Sequence, residues 1–262
     1  MTNAVTHGFG RIAAGLRSLY EYIALFGSLI LFGAAGLTYT LIGAVLYPLL
    51  PRRFGARVGR LIMTGIFRPY IAIIKASGLV HCDLSALDAL SNGETIIIAP
   101  NHPSVIDVVL IGSRLTNIVC IMKADIQDNI LFGGGARLAG YIRNDSTGNM
   151  VRRSVEELKA GSQLLIFPEG TRTIAPPVNK FKSAFALIAR KSGVPVQTVF
   201  IESNTPFLGK GWPLLKKPQF PLVYKVTLGE RFEAGDDTKA LVDNMEKYYR
   251  EHLAESKIIC SR

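Results

Sequence analysis

After Gly78 the chain alternates short β-branched apolar runs with longer stretches of helical periodicity. Strands are predicted at Thr95–Ala99, Ile118–Met122, Gln163–Phe167, Gln197–Ile201 and Leu222–Leu228. Helices are predicted after His102 and over 150–159, 181–191 and 238–253. This alternation predicts an α/β fold, a mixed sheet flanked by helices. Before Gly78 the pattern is different. From Tyr22 to Pro51 no residue is charged, and about 20 apolar residues suffice to cross a bilayer. Gly33-Ala34-Ala35-Gly36 could mark a close helix contact or a bend, and a bend would give a hairpin with both ends on one side; a single span is the other reading, and a cleaved signal peptide is disfavoured because the run exceeds that segment's usual core of about 7–15 residues. Between Arg53 and Lys75, basic residues recur at helical spacing (Arg57, Arg68, Lys75) opposite Leu61, Ile62, Ile66 and Ile73. That is the pattern of a helix lying among lipid headgroups, kinked or broken at Pro69; an amphipathic helix packed on the following domain is the alternative.

Composition and charge sharpen the picture. The chain has 262 residues, 48% of them hydrophobic, with a formal charge of +10, a combination that a membrane surface explains. Nucleic acid would also attract the charge, but there is no zinc-ligand spacing, helix-turn-helix pattern or aromatic RNA-binding signature, so no nucleic-acid partner is expected. Arg11 and Arg17 precede the apolar run, and the heavier cluster Arg52, Arg53, Arg57 and Arg60 follows it. By the positive-inside rule this leaves the C-terminal portion in the cytoplasm, on an inner or cytoplasmic membrane. Cys82, Cys120 and Cys260 are odd in number and far apart, which argues for a reducing compartment. Neither a metal nor a cofactor is expected. Gly133-Gly134-Gly135 lacks the lysine of a P-loop and reads as a flexible turn. His7, His81 and His252 read as surface residues, and Phe207–Leu222 as a lipid-touching or pocket-covering loop or an irregular connection.

The chemistry concentrates at two strand ends. The run Thr95–Ala99 stops at Pro100, and His102 follows in a turn. Ser104 and Asp107 form Ser-x-x-Asp before an apolar run, a capping-box start for a helix. A neutral imidazole there could take a proton from a hydroxyl if Asp107 held its other nitrogen protonated. Read blandly, Asp107 is only an early helix residue favoured by the macrodipole. The second motif, Phe167-Pro168-Glu169-Gly170-Thr171-Arg172, again ends an apolar run. It offers close backbone approach at glycine, donors at Thr171 and a guanidinium suited to phosphate.

Asn101-His102, Asp107 and the later Phe-Pro-Glu-Gly-Thr-Arg segment resemble the glycerolipid (lysophospholipid) acyltransferase family, and the likeness covers about Gly78 to Ile201. The resemblance implies His102 as general base and Asp107 as its orienting partner, with Glu169, Gly170, Thr171 and Arg172 around the acceptor. It adds Arg143, within Arg143-Asn144-Asp145 where the family more often has Ile-Asp-Arg, and Lys182 after Phe181. It further implies a fatty acyl group moved from acyl-CoA or acyl carrier protein to a lysolipid hydroxyl, with 1-acylglycerol-3-phosphate first among acceptors and a lyso-aminolipid as an alternative. The chain then divides into a membrane anchor with amphipathic helix, 1–77, and an acyltransferase catalytic domain, 78–262. Two other classes remain: a lipid hydrolase using Ser104, which lacks a Gly-x-Ser-x-Gly elbow, and a non-enzymatic membrane-surface binding protein.

Overall fold

The computed structural model describes residues 2–129 and 133–255, without the side chains of 2–10 and 126; Cys260 and the side chain of His7 lie outside what is described. Two long helices come first, α1 (Thr2–Leu49) and α2 (Arg52–Ala76). There follow β1 (Val80–Asp83), a 3₁₀ turn (Ser85–Leu90), β2 (Ile97–Pro100), α3 (Asp107–Gly112), β3 (Ile118–Lys123), α4 (Ala124–Gln127) and α5 (Gly133–Leu138). The chain continues through β4 (Ile142–Asn144), α6 (Thr147–Lys159), β5 (Gln163–Leu165), α7 (Ala184–Ser192), β6 (Val196–Ser203), β7 (Leu222–Phe232) and α8 (Thr238–Ala254).

The seven strands form one mixed sheet in the order β1-β7-β6-β2-β5-β3-β4. Five neighbours from β6 to β4 run parallel, while β7 is antiparallel to β6 and parallel to β1. The period of two along β2 makes the layers. Ile96 and Ile98 enter the apolar cluster shared with α2 and α3, and Ile97 and Ala99 the cluster shared with α7 and α8. Because both faces are covered, β2 reads as an unbroken apolar run. All five predicted strands are present; β1 and β4 are additional.

α1 and α2 form an antiparallel hairpin. The Tyr20 hydroxyl donates to Ser77 O (2.6 Å), Phe32 packs on Tyr70 (ring centroids 5.2 Å apart), and the Tyr39 hydroxyl donates to Gly59 O (2.8 Å). Of the readings left open at Gly33–Gly36, the bend is absent: helix geometry is continuous there, and the reversal falls at Leu50–Pro51. Residues 11–49 are long and apolar enough to cross a membrane, and Ile12, Leu16, Ile23, Ile30, Leu41 and Val45 are exposed.

α2 also departs from expectation. It runs unbroken through Pro69, which sits on the exposed side. Its buried face is Ala56, Gly59, Arg60, Met63, Tyr70, Ile71 and Ile74, against the domain, while Leu61 and Ile73 are exposed alongside Arg57, Arg68 and Lys75. Arg60, counted above as a flanking charge, is buried. Its guanidinium donates to Ala139 O, Asn117 Oδ1, Ser162 Oγ and Glu157 Oε2 at 2.8–3.0 Å, so a buried cation is fully paired. Gly133-Gly134-Gly135 belongs to a buried helix rather than a flexible turn, because α5 crosses α1 too closely for side chains. A Cβ on Gly134 would stand 2.5 Å from Thr40 O.

Candidate active site

Three adjacent parallel strands, β6, β2 and β5, end on the same edge of the sheet, where crevices form in open α/β folds. β2 delivers His102, the segment after β5 delivers Glu169–Arg172, and β6 leads into the 204–221 loop. The predicted motifs therefore meet because their strands are neighbours.

Pro100 has no N–H for the ladder, and Asn101 compensates. Its side-chain amide donates to Ile201 O (2.9 Å) and its carbonyl accepts from Ile201 N (2.7 Å), so one side chain extends the β2–β6 pairing beyond the proline. The Tyr249 hydroxyl from α8 donates to Ala99 O and accepts from Val199 N (3.0 Å) where the same strands part.

His102 is held at four points. Its backbone N–H donates to Glu169 Oε1 (2.9 Å), its carbonyl accepts from Thr173 N (2.7 Å), its ring stacks on Phe167 (centroids 3.8 Å apart), and Nδ1 lies 2.8 Å from Asp107 Oδ2. Nε2 has no protein partner among the described residues, and the side chain keeps 16% of its surface exposed. Asp107 has none exposed. Its Oδ2 also accepts from Ser104 N (2.9 Å), which is one half of the expected capping box. The other half is missing: the Ser104 hydroxyl donates to Phe207 O (2.8 Å), and α3 begins only at Asp107. Burial raises the Asp107 pKa, opposed by the His102 contact and the Ser104 N–H.

Glu169 was expected around the acceptor, but it is 1% exposed and its oxygens are engaged by the protein. Oε1 accepts from His102 N and Thr173 Oγ1, and Oε2 from Thr173 Oγ1 and Asn179 N, at 2.8–2.9 Å. Burial raises its pKa against these hydrogen bonds. Gly170 sits at φ +68°, so its glycine serves the turn, and a Cβ there would touch the Lys182 stem at 3.3 Å. Lys182 donates its backbone N–H to Pro168 O (2.8 Å) and is exposed. Thr171 is half-buried, with no side-chain partner among the described residues. Arg172 Nη1 donates to Leu208 O (3.0 Å) and Gly209 O (2.9 Å), which leaves Nε and Nη2 for a ligand.

Arg143 is not drawn into this cluster. It lies on edge strand β4, with β3 and β5 between it and β2, roughly 14 Å across three inter-strand spacings. Its guanidinium pairs with Asp128 (2.6 Å) and Asp145 (3.8 Å).

Sequence reasoning assigned no role to Asn101, Phe167, Thr173 or Asn179. The one available signal was position: Asn101 and Phe167 stand inside the two motifs, and Thr173 and Asn179 follow the second. The 207–222 loop turns out to be a wall of the site: Phe207 is buried, and Val105 N donates to Leu208 O (3.2 Å). His81 is exposed as expected, and His252 is exposed yet stacked on Phe200 (3.8 Å).

Residues 81–202 match the protein-family model described as Acyltransferase. The matched stretch is somewhat under half of the chain and holds His102, Asp107, Glu169 and Arg172, and its motifs are similar to those of the glycerolipid acyltransferases. Among curated relatives, it is 34% identical over 121 residues to a lyso-ornithine lipid O-acyltransferase of Pseudomonas aeruginosa, covering 42% of this chain and 46% of that protein. A 1-acyl-sn-glycerol-3-phosphate acyltransferase of Brassica napus is 29% identical, covering 55% of this chain and 45% of that protein. The chain thus spans about half the length of these two relatives. A 1-acyl-sn-glycerol-3-phosphate acyltransferase of Pseudomonas aeruginosa is 22% identical over 89% of this chain and 91% of its own. The fold is that of the crystal structure of the 1-acyl-sn-glycerophosphate (LPA) acyltransferase of Thermotoga maritima, with TM-score 0.68 at 19% identity over 95% and 98% of the two chains.

Proposed function

We propose that the protein is a membrane-associated O-acyltransferase that moves a fatty acyl group from a thioester carrier, acyl-CoA or acyl carrier protein, to a lysolipid hydroxyl. The observation that carries this reading is the 2.8 Å contact between His102 Nδ1 and a fully buried Asp107, inside the stretch that matches the Acyltransferase model, with Nε2 left without a partner among the described residues. His102 Nε2 takes the acceptor's hydroxyl proton as that oxygen bonds to the thioester carbonyl carbon. The C–S bond then breaks, and the thiolate leaves with the proton returned by His102. Asp107 fixes the tautomer and stabilises the imidazolium as it forms. Glu169 is a positioning residue for the His102 turn, and Nε and Nη2 of Arg172, with Thr171, face the acceptor's polar end. An apolar groove of about 250 Å³ beside Ile106, lined by Leu25, Tyr70, Ile74, Phe207 and Leu222, suits an acyl chain. The exposed apolar surface of α1 and the basic outer face of α2 suit a bilayer, with the domain on the cytoplasmic side.

For the acceptor we favour 1-acylglycerol-3-phosphate, giving phosphatidate, on the names of relatives that align over more of this chain than the lyso-ornithine lipid acyltransferase does. A lyso-aminolipid is the second reading, because the relative at 34% identity is named for lyso-ornithine lipid. Labelled acyl donor offered with a panel of lysolipids tests both. Turnover without lysolipid, releasing free fatty acid, would instead mark a hydrolase.

A further inference from the structure

A second cavity, of about 370 Å³, opens on the other side of the 206–213 loop from the apolar groove. Its inner wall includes Asn101, Pro103 and Thr173, the residues that flank and hold His102. Its outer wall carries Lys210, Trp212 and Lys216, and no acidic residue among the described ones lines it. The three lysines of this loop are not equivalent. Lys217 is neutralised by Glu21 of α1 at 2.8 Å. Lys210 and Lys216 have no carboxylate partner among the described residues, and Lys216 Nζ lies over the Trp212 ring, 4.9 Å from its centroid. The loop is also fixed in place, by Ser104 on Phe207 O and Arg172 on Leu208 O and Gly209 O. Gly209 approaches the catalytic turn so closely that a Cβ would stand 3.3 Å from Pro103 O.

We propose that this cavity binds the phosphate-bearing arm of the acyl donor, with Lys210 and Lys216 as its anion contacts and Trp212 as an apolar wall. The proposal rests on the acyltransferase reading and names the donor side of that same site. Size selects the occupant. A cavity of this volume falls in the range that encloses an extended small molecule, whereas one acceptor phosphate would leave most of it empty. Position agrees with size. A thioester has an apolar chain on one side of the reacting carbon and a phosphorylated arm on the other, and the His102 turn lies between an apolar groove and a cationic cavity.

Trp212 is the chain's single tryptophan, so its emission reports this cavity directly. Full-length protein in detergent is titrated with coenzyme A, with 4′-phosphopantetheine and with glycerol 3-phosphate. Saturable changes are expected with the first two and not with the third. Lys210→Gln or Lys216→Gln is expected to raise Kd roughly 5-fold, and the double variant roughly 25-fold, as solvent-exposed ion contacts do when independent. In turnover, the double variant raises KM for the phosphorylated donor while KM for the lysolipid moves less than about twofold. That change shrinks when the donor is a short N-acetylcysteamine thioester without phosphate. A response to glycerol 3-phosphate alone, or a defect confined to lysolipid KM, overturns the assignment in favour of an acceptor site. Coenzyme A binding at Trp212 without acyl transfer to any lysolipid supports the cavity assignment while overturning the reaction. Acyl transfer with donor KM unmoved in the double variant overturns the cavity assignment alone.

Discussion

The backbone N–H of His102 donates to the buried carboxylate of Glu169 at 2.9 Å, so the turn leaving β2 is fastened to the turn leaving β5. The same carboxylate holds Thr173, whose own N–H donates to His102 O. Glu169→Gln must turn one acceptor into a donor facing N–H groups, and a buried unsatisfied group costs about 1–3 kcal/mol. The variant is expected to lose about 10- to 100-fold in kcat with lysolipid KM nearly unchanged. Thr173→Val is expected to move kcat in the same direction by less. A Glu169→Gln defect seen only in KM would instead assign this carboxylate to the acceptor.

His102→Ala is expected to abolish acyl transfer while leaving membrane association intact, because the base serves only the chemical step. Asp107→Asn permits the wrong tautomer, which in the analogous hydrolase arrangement costs about 10⁴ in rate. Single-turnover assays with labelled donor check both. Retention of more than a few per cent of wild-type turnover by His102→Ala contradicts the mechanism.

Stability should respond to Asp107 with a definite sign. Burial holds its folded pKa above the unfolded value of about 3.9, so the folded state binds the proton more tightly. The stability this contributes is fully present below the unfolded pKa and is lost as pH rises through the folded one. Asp107→Asn, which cannot ionise, should therefore gain in Tm relative to wild type as pH rises above the unfolded value of about 3.9. Thermal melts across that range measure it, and a Tm difference moving the other way would show a carboxylate stabilised by ionisation.

Arg172→Ala should weaken donor and acceptor together. One nitrogen anchors the 208–209 carbonyls, while two remain for a phosphate. A charge-assisted hydrogen bond contributes about 1.5–3 kcal/mol, so kcat/KM should fall roughly 10- to 150-fold. Lysine can restore a charge but not the planar fork that serves loop and ligand at once, so Arg172→Lys should recover only part. An unchanged acceptor KM with a raised donor KM would assign Arg172 to the loop alone.

The N-terminal hairpin yields two outcomes that differ by mechanism. The whole protein should stay with membranes through a high-salt wash, because salt screens charge and leaves apolar insertion intact. Removing residues before Gly78 should cost solubility, since Met63, Tyr70, Ile71 and Ile74 of α2 pack on the sheet's own cluster. Fractionation and gel filtration of the truncated chain decide this, and a soluble monomer would show that the hairpin is dispensable for folding.

The sequence by itself determined the class of fold, five of the strands, the long apolar helix and the two strand-end motifs. Each of these is written locally, in the period of apolar positions, the proline at 100 and the spacing from His102 to Asp107. Tertiary structure decided what each motif residue touches. Glu169 looked like a ligand-facing carboxylate because sequence does not encode burial; the adjacency of β2 and β5 placed it under the His102 turn, 67 residues away. Arg60 looked like a flanking surface charge until the packing of α2 surrounded it with Ala139, Asn117, Ser162 and Glu157. Gly133-Gly134-Gly135 looked like a flexible turn because its reason lies in the side of α1 that crosses it. Arg143 stood near enough in sequence to join the site, but its strand came to lie at the sheet's edge. Periodicity and turn chemistry act over a few residues and can be read from the chain, whereas strand order joins groups as far apart in sequence as Val80 and Leu222 and exists only once the sheet has formed.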